Sequence, residues 1–235
     1  SSLRPRLARL LEGEAGSNDP VAILLVIGFI EWISRPDYDA FDMVGVFVQQ
    51  IGIGVAVGFA VGVVAVRVLR AIQLPTVGLY PVAALTAAAL TFGLADVLKG
   101  SGFLAIYITG LMLGSTMIPA KRTVIAFHAG LAWVAQLGMF LMLGLLVFPS
   151  QLPGIALEGT LLALILCFVA RPIASLIASA PWRFSAAERT VLAWAGLRGA
   201  VPVVLATFPV LAGVPDSREF FNIVFFGVVL TLLIQ

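Results

Sequence analysis

The chain has 235 residues, 61% of them hydrophobic and only 11% charged, with a net charge of +2 and a mean hydropathy of +1.10. A water-soluble domain carries charge at about 25% of its positions, so this composition excludes one. In hydrocarbon the balance is expected, because each mid-bilayer Asp, Lys or Arg costs about 2.5–3.5 kcal/mol. No basic run or aromatic-basic interleaving supports nucleic-acid binding, despite a pI near 9.0. One cysteine, Cys167, and one histidine, His128, exclude an internal disulfide and a Cys/His metal site. Cys167 lies in an apolar run and reads as a small packing residue.

A helix needs about 20 apolar residues to cross about 30 Å of hydrocarbon. On that measure the spans fall near 8–34, 44–66, 77–97, 102–118, 124–148, 157–180, 189–211 and 220–235. This is an all-α polytopic membrane protein with about eight transmembrane helices. The apolar runs are continuous, whereas barrel strands would alternate. Residues 1–235 read as one partial transmembrane domain. The start at Ser1 without Met, and the end at Thr231-Leu232-Leu233-Ile234-Gln235 inside an apolar run, make both ends look cut, the last helix being truncated.

Loop charges orient the spans. Numbering the loops alternately, one set holds nine basic residues: Arg4, Arg6, Arg9, Arg67, Arg70, Lys121, Arg122, Arg183 and Arg189. The other holds only three, Arg35, Lys99 and Arg218, with most of the loop acids. The positive-inside rule places the first set in the cytoplasm, with both visible chain ends. Gly54, Gly58 and Gly62, then Gly110 and Gly114, put small residues at four-residue spacing. Such stripes let helices approach closely in lipid, within the chain or at a subunit interface.

The charges left inside the spans are Glu12, Glu14, Asp19, Glu31, Arg171 and Arg198. An ionisable group there pairs with another or faces an aqueous cavity. Glu12 and Glu31 lie near helix ends and read as interfacial. Arg171, before Pro172, reads as structural. The stretch from Glu12 to Pro20 is different, since it crowds three carboxylates, an amide and a hydroxyl ahead of Val21-Ala22-Ile23-Leu24. Asp19 is near mid-helix, and Pro20 both removes an N–H and clashes with the carbonyl of Gly16, so a kink is expected. A freed carbonyl beside Asn18 and Asp19 supplies oxygen ligands for a hard monovalent cation. A carboxylate able to hold either a proton or a cation is the minimum apparatus for exchanging them.

A second polar break surrounds Arg198, between Gly196 and Gly199 with Pro202 beyond. Interrupted helices of this kind line transporter binding sites. The guanidinium needs an anion, because an unpaired buried charge is strongly unfavourable. Glu14, one turn before Asn18 on the same face, is the favoured partner; Asp19 is the competing one.

These residues carry a family resemblance. Glu12-Gly13-Glu14-Ala15-Gly16-Ser17-Asn18-Asp19-Pro20 resembles the Asn-Asp helix of the monovalent cation:proton antiporters. Ala193-Trp194-Ala195-Gly196-Leu197-Arg198-Gly199-Ala200 resembles their Gly-Leu-Arg-Gly-Ala segment. Tyr107-Ile108-Thr109-Gly110-Leu111 and Phe127-His128-Ala129-Gly130-Leu131-Ala132-Trp133 are similar to the bacterial NhaP branch, particularly its potassium/proton members. The resemblance spans the whole chain. It implies an inverted-repeat antiporter fold with an interrupted helix near Arg198, of which this chain holds the later helices with the N-terminal ones missing, a homodimer, and a place in the bacterial inner membrane. It implies that Asp19 carries the cation (Na⁺ or K⁺) or proton, that Asn18 supports the site, and that Glu14 and Arg198 form a buried structural ion pair. No cofactor is implied, the ions being substrates. The family often has Ser where this chain has Ala15, so a water replaces that hydroxyl or the ion preference differs.

Site chemistry admits three classes. Antiport of a monovalent cation against protons, with the site moving between inner and outer access, leads. The alternative is a cation channel or leak pathway with Asp19 as selectivity charge. An intramembrane enzyme is disfavoured, since no second membrane Asp, Cys/His cluster or Ser/His pair is evident.

Overall fold

A computed structural model of the chain describes residues 5–179, 184–194 and 201–234, with the backbone alone described at 5–17, 186, 187 and 193. Hydrocarbon offers backbone groups no water, so a chain this apolar must satisfy them within each segment, which helices do. Among the described residues the elements are helical, with no strand. They are α1 (Pro5–Ser34), α2 (Ala40–Ala71), α3 (Leu79–Val97), α4 (Gly102–Ser115) and α5 (Lys121–Leu146). A 3-10 segment (Pro149–Ile155) leads into α6 (Ala156–Ile165), a π turn (Leu166–Ala170) and α7 (Arg171–Ser179). Then come α8 (Ala186–Trp194), α9 (Val201–Leu211) and α10 (Ser217–Ile234).

The expected spans overlap these helices, but their number is not settled at about eight. Five described segments are long and apolar enough to cross a membrane: α2, α3, α5, the run Pro149–Ser179 and α10. The apolar helices α4 and α9 have 14 and 11 residues. At 1.5 Å rise per residue they extend only about 21 and 16 Å, short of the hydrocarbon thickness.

The chain divides into two compact units, residues 20–138 and residues 1–19 with 139–235. In the first, α2 packs on α4 and α3. Glycine makes the approach possible: a Cβ on Gly58 would stand 2.6 Å from the carbonyl oxygen of Ala105, and one on Gly54 would stand 2.9 Å from that of Ser101. Here the expected intramolecular packing of the glycine stripe holds. Gly110 and Gly114 differ, with nothing within 4 Å of a Cβ on either. A buried hydroxyl string ties the three helices, Thr109 Oγ1 donating to Gly58 O at 2.9 Å and lying 3.4 Å from Thr91 Oγ1. Tyr80 on α3 donates its hydroxyl to Ile72 O at 3.1 Å, closing the loop after α2.

The α1–α2 loop is terminated by a reciprocal cap. Asp39 Oδ1 accepts from the Phe41 and Asp42 amides at 2.8 and 2.9 Å, and Asp42 Oδ2 accepts from the Asp39 amide at 3.2 Å. Caps of this type contribute on the order of 1 kcal/mol.

In the second unit α10 packs against α6 and α9, and α7 against α8. Leu143, Val203, Ala206 and Phe221 form its core. Gly159 admits Phe226, whose Cδ1 would lie 2.5 Å from a Cβ there. Asn222, buried on α10, donates to Gln151 Oε1 at 2.9 Å. The π turn has a local cause. Pro172 cannot donate to the Phe168 carbonyl and crowds it, and the preceding Arg171 amide reaches back five residues to Leu166 O.

Candidate functional site

The helix that carries the candidate site is α1, 30 residues with Pro20 inside it. The structure carries helix through this proline rather than ending there. Pro20 has no N–H, so the Gly16 carbonyl lacks its usual partner four residues on. Asn18 is exposed, Asp19 half-buried and Pro20 buried. Asp19 therefore stands near the middle of the helix, beside a carbonyl released from the helix ladder. Among the described residues, no hydrogen bond or ion pair occupies its carboxylate. The Asp19 carboxylate, the Asn18 amide oxygen and the Gly16 carbonyl are hard oxygen donors. That is the donor type suited to an alkali cation, and the carboxylate can alternatively take a proton.

Glu14 lies on the same helix one turn before Asn18, so the two share a face; its side chain is outside the described residues. Arg198 and the break expected around it also fall outside them, in the segment between Trp194 at the end of α8 and Val201 at the start of α9. The expected Glu14–Arg198 pair consequently has no described geometry.

Two of the other charges expected within spans have described surroundings. Glu31 Oε2 pairs with Arg35 Nε at 2.7 Å near the end of α1, and a surface pair of this type contributes little to stability. Arg171 is the half-buried first residue of α7, directly after the π turn. Cys167 is buried within that turn.

The polar residues that hydropathy did not mark are Thr91, Thr109, Gln151 and Asn222. Threonine hydroxyls inside helices bond to backbone oxygens, as Thr91 Oγ1 does to Ala87 O at 2.7 Å. They leave almost no trace in a hydropathy profile. Asn222 had a visible signal, being an amide inside an apolar run.

Comparison with known proteins places the chain in a family. The family described as sodium/hydrogen exchanger, transmembrane, matches residues 1–235. The K(+)/H(+) antiporter NhaP of Alkalimonas amylolytica is 40% identical over 235 residues, covering 99% of this chain and 40% of that protein. The K(+)/H(+) antiporter NhaP2 of Shewanella baltica is 38% identical over 237 residues, covering 100% of this chain and 41% of that protein. The low-affinity Na(+)/H(+) antiporter NhaS1 of Synechocystis is 29% identical, covering 98% of this chain and 46% of that protein. The chain thus spans about two fifths of the length of the NhaP relatives. Among solved structures, the sodium proton antiporter MjNhaP1 of Methanocaldococcus jannaschii at pH 8 shares the fold, with a TM-score of 0.84 at 21% identity over 99% of this chain and 63% of that one. The expected NhaP-type resemblance is therefore upheld along the full sequence: the chain belongs to the transmembrane sodium/hydrogen exchanger family.

Proposed function

We propose that the protein containing this chain is a secondary antiporter of the bacterial inner membrane, exchanging a monovalent cation for protons, with Asp19 holding each in turn. The observation that carries this reading is the half-buried Asp19 carboxylate near the middle of α1, next to Pro20, with no described partner occupying it. A carboxylate that must be neutralised in a low-dielectric setting binds a proton or a cation, but not both. Competition at one group couples the two fluxes at a one-to-one ratio. Asn18 supports the cation beside it, while Glu14 and Arg198 hold the helices as a buried ion pair. Rigid-body movement of helix bundles alternates access to the site, as in transporters built from repeats. The protein acts as a homodimer.

Potassium is favoured over sodium as the cation. The relatives at 38–40% identity are named K(+)/H(+) antiporters, whereas the one at 29% is named a low-affinity Na(+)/H(+) antiporter. The test is dequenching of a pH dye in proteoliposomes of the full-length protein after addition of K⁺, Na⁺ or Li⁺. Asp19→Asn should abolish the response to every cation. Normal exchange by that variant would remove Asp19 from the mechanism, and cation flux without proton counterflux would indicate a channel instead.

A further inference from the structure

Between α7 and α8, within the unit of residues 1–19 and 139–235, lies a cavity of about 670 Å³. Its walls are mostly apolar, with Phe168, Pro172 and Leu176 on one side and Phe184 and Trp194 on the other, and Thr190 adding a hydroxyl. The Phe168 and Trp194 rings stand 6.3 Å apart at 58°. One cation, Arg189, lines the same space. Its Nε is buried without a hydrogen-bond partner, the single side-chain atom in that condition among the described residues. The adjacent acid is committed elsewhere. Glu188 Oε2 accepts from the Ser185 amide at 2.9 Å and from its hydroxyl at 3.1 Å, capping the start of α8.

A buried guanidinium N–H left unpaired is unfavourable, and phosphate oxygens are among the acceptors that best fit it. Most of the cavity wall, however, is hydrocarbon and aromatic surface, which a small hydrated anion would leave uncovered. The complementary ligand is therefore amphipathic, with an anionic head and an apolar tail. On the loop-charge alternation expected from sequence, Arg189 lies at the cytoplasmic end of its helix, where the membrane leaflet is rich in anionic lipid. We propose that this cavity holds one anionic phospholipid of the cytoplasmic leaflet, its phosphate on Arg189 and an acyl chain along Phe168, Leu176 and Trp194. The site does not depend on Asp19 or on the exchange chemistry.

The experiment uses the full-length protein, purified in detergent and stripped of lipid. Thermal stability is titrated with phosphatidylglycerol, phosphatidylcholine or inorganic phosphate. Phosphatidylglycerol should raise the midpoint saturably, and the other two should not. Arg189→Gln should weaken the apparent phosphatidylglycerol affinity by about tenfold or more. Leu176→Trp keeps the charge but fills the cavity, and should abolish the effect as well. Arg189→Lys, which retains charge, serves if the Gln variant does not fold, and should bind more weakly than the parent. Asp19→Asn should respond like the parent even if it is inactive in exchange. Equal stabilisation by inorganic phosphate would assign a free-anion site and overturn the lipid. Equal responses to the two lipids, or a parent-like response of folded Arg189→Gln and Leu176→Trp, would overturn it too.

Discussion

Gly58→Ala is the sharpest test of how the helices of residues 20–138 are held. The added Cβ would lie 2.6 Å from Ala105 O and 2.9 Å from Ala105 Cα, both backbone atoms that cannot swing aside. Ordinary contact begins at 3.4 Å, so α4 must retreat locally by about 0.8 Å (3.4 − 2.6). That retreat stretches the Thr109 Oγ1–Gly58 O bond from 2.9 Å to about 3.7 Å, outside hydrogen-bonding range. Overpacking costs about 1–3 kcal/mol, and the lost bond adds about 1 kcal/mol. Replacing glycine within a helix returns about 0.5–1 kcal/mol. The net expectation is a loss of about 2 kcal/mol. Gly110→Ala is the control, because its Cβ meets nothing within 4 Å; it should be neutral or slightly stabilising. Gly62→Ala should lie between them, since its nearest neighbour, Met112 Sδ at 2.5 Å, is the end of a flexible side chain. The assay is reversible unfolding of the full-length protein in mixed micelles. If Gly58→Ala proves as stable as Gly110→Ala, the close α2–α4 approach is wrong.

Two further variants probe the other unit and the proposed ion pair. Gln151→Ala removes the acceptor of the buried Asn222 amide and should lower stability by about 1–3 kcal/mol; in a double-mutant cycle with Asn222→Ala, strict additivity would show that the two side chains are uncoupled. Glu14→Gln should reduce folded yield and thermal stability while leaving the cation dependence of exchange near that of the parent. A fully stable Glu14→Gln protein with altered ion affinity would instead make Glu14 part of the ion site.

Much of the architecture was legible because lipid imposes one-dimensional rules. The penalty for buried charge made the composition sufficient to name a helical membrane protein. It also made the exceptional charges, Asp19 and Arg198 above all, visible as candidates. Resemblance in the segments around them led to the correct family. The helix count was less legible, because a run such as 102–118 is apolar throughout, yet α4 ends at Ser115.

The stripes Gly54-Gly58-Gly62 and Gly110-Gly114 look alike as sequence. Helical periodicity gives both the same small-residue face, and nothing local says what meets it. Only the tertiary structure separates them, since Gly54 and Gly58 are pressed against the backbone of Ser101 and Ala105, while Gly110 and Gly114 face open space. The same holds for Arg189. By loop position it was one more cytoplasmic charge, and it became singular only when the fold buried its Nε without a hydrogen-bond partner and set the residue in the wall of a largely apolar cavity. Hydropathy and charge are properties of a residue, so the sequence determines them. Close approach and unsatisfied bonding are properties of the space between helices, so only packing decides them.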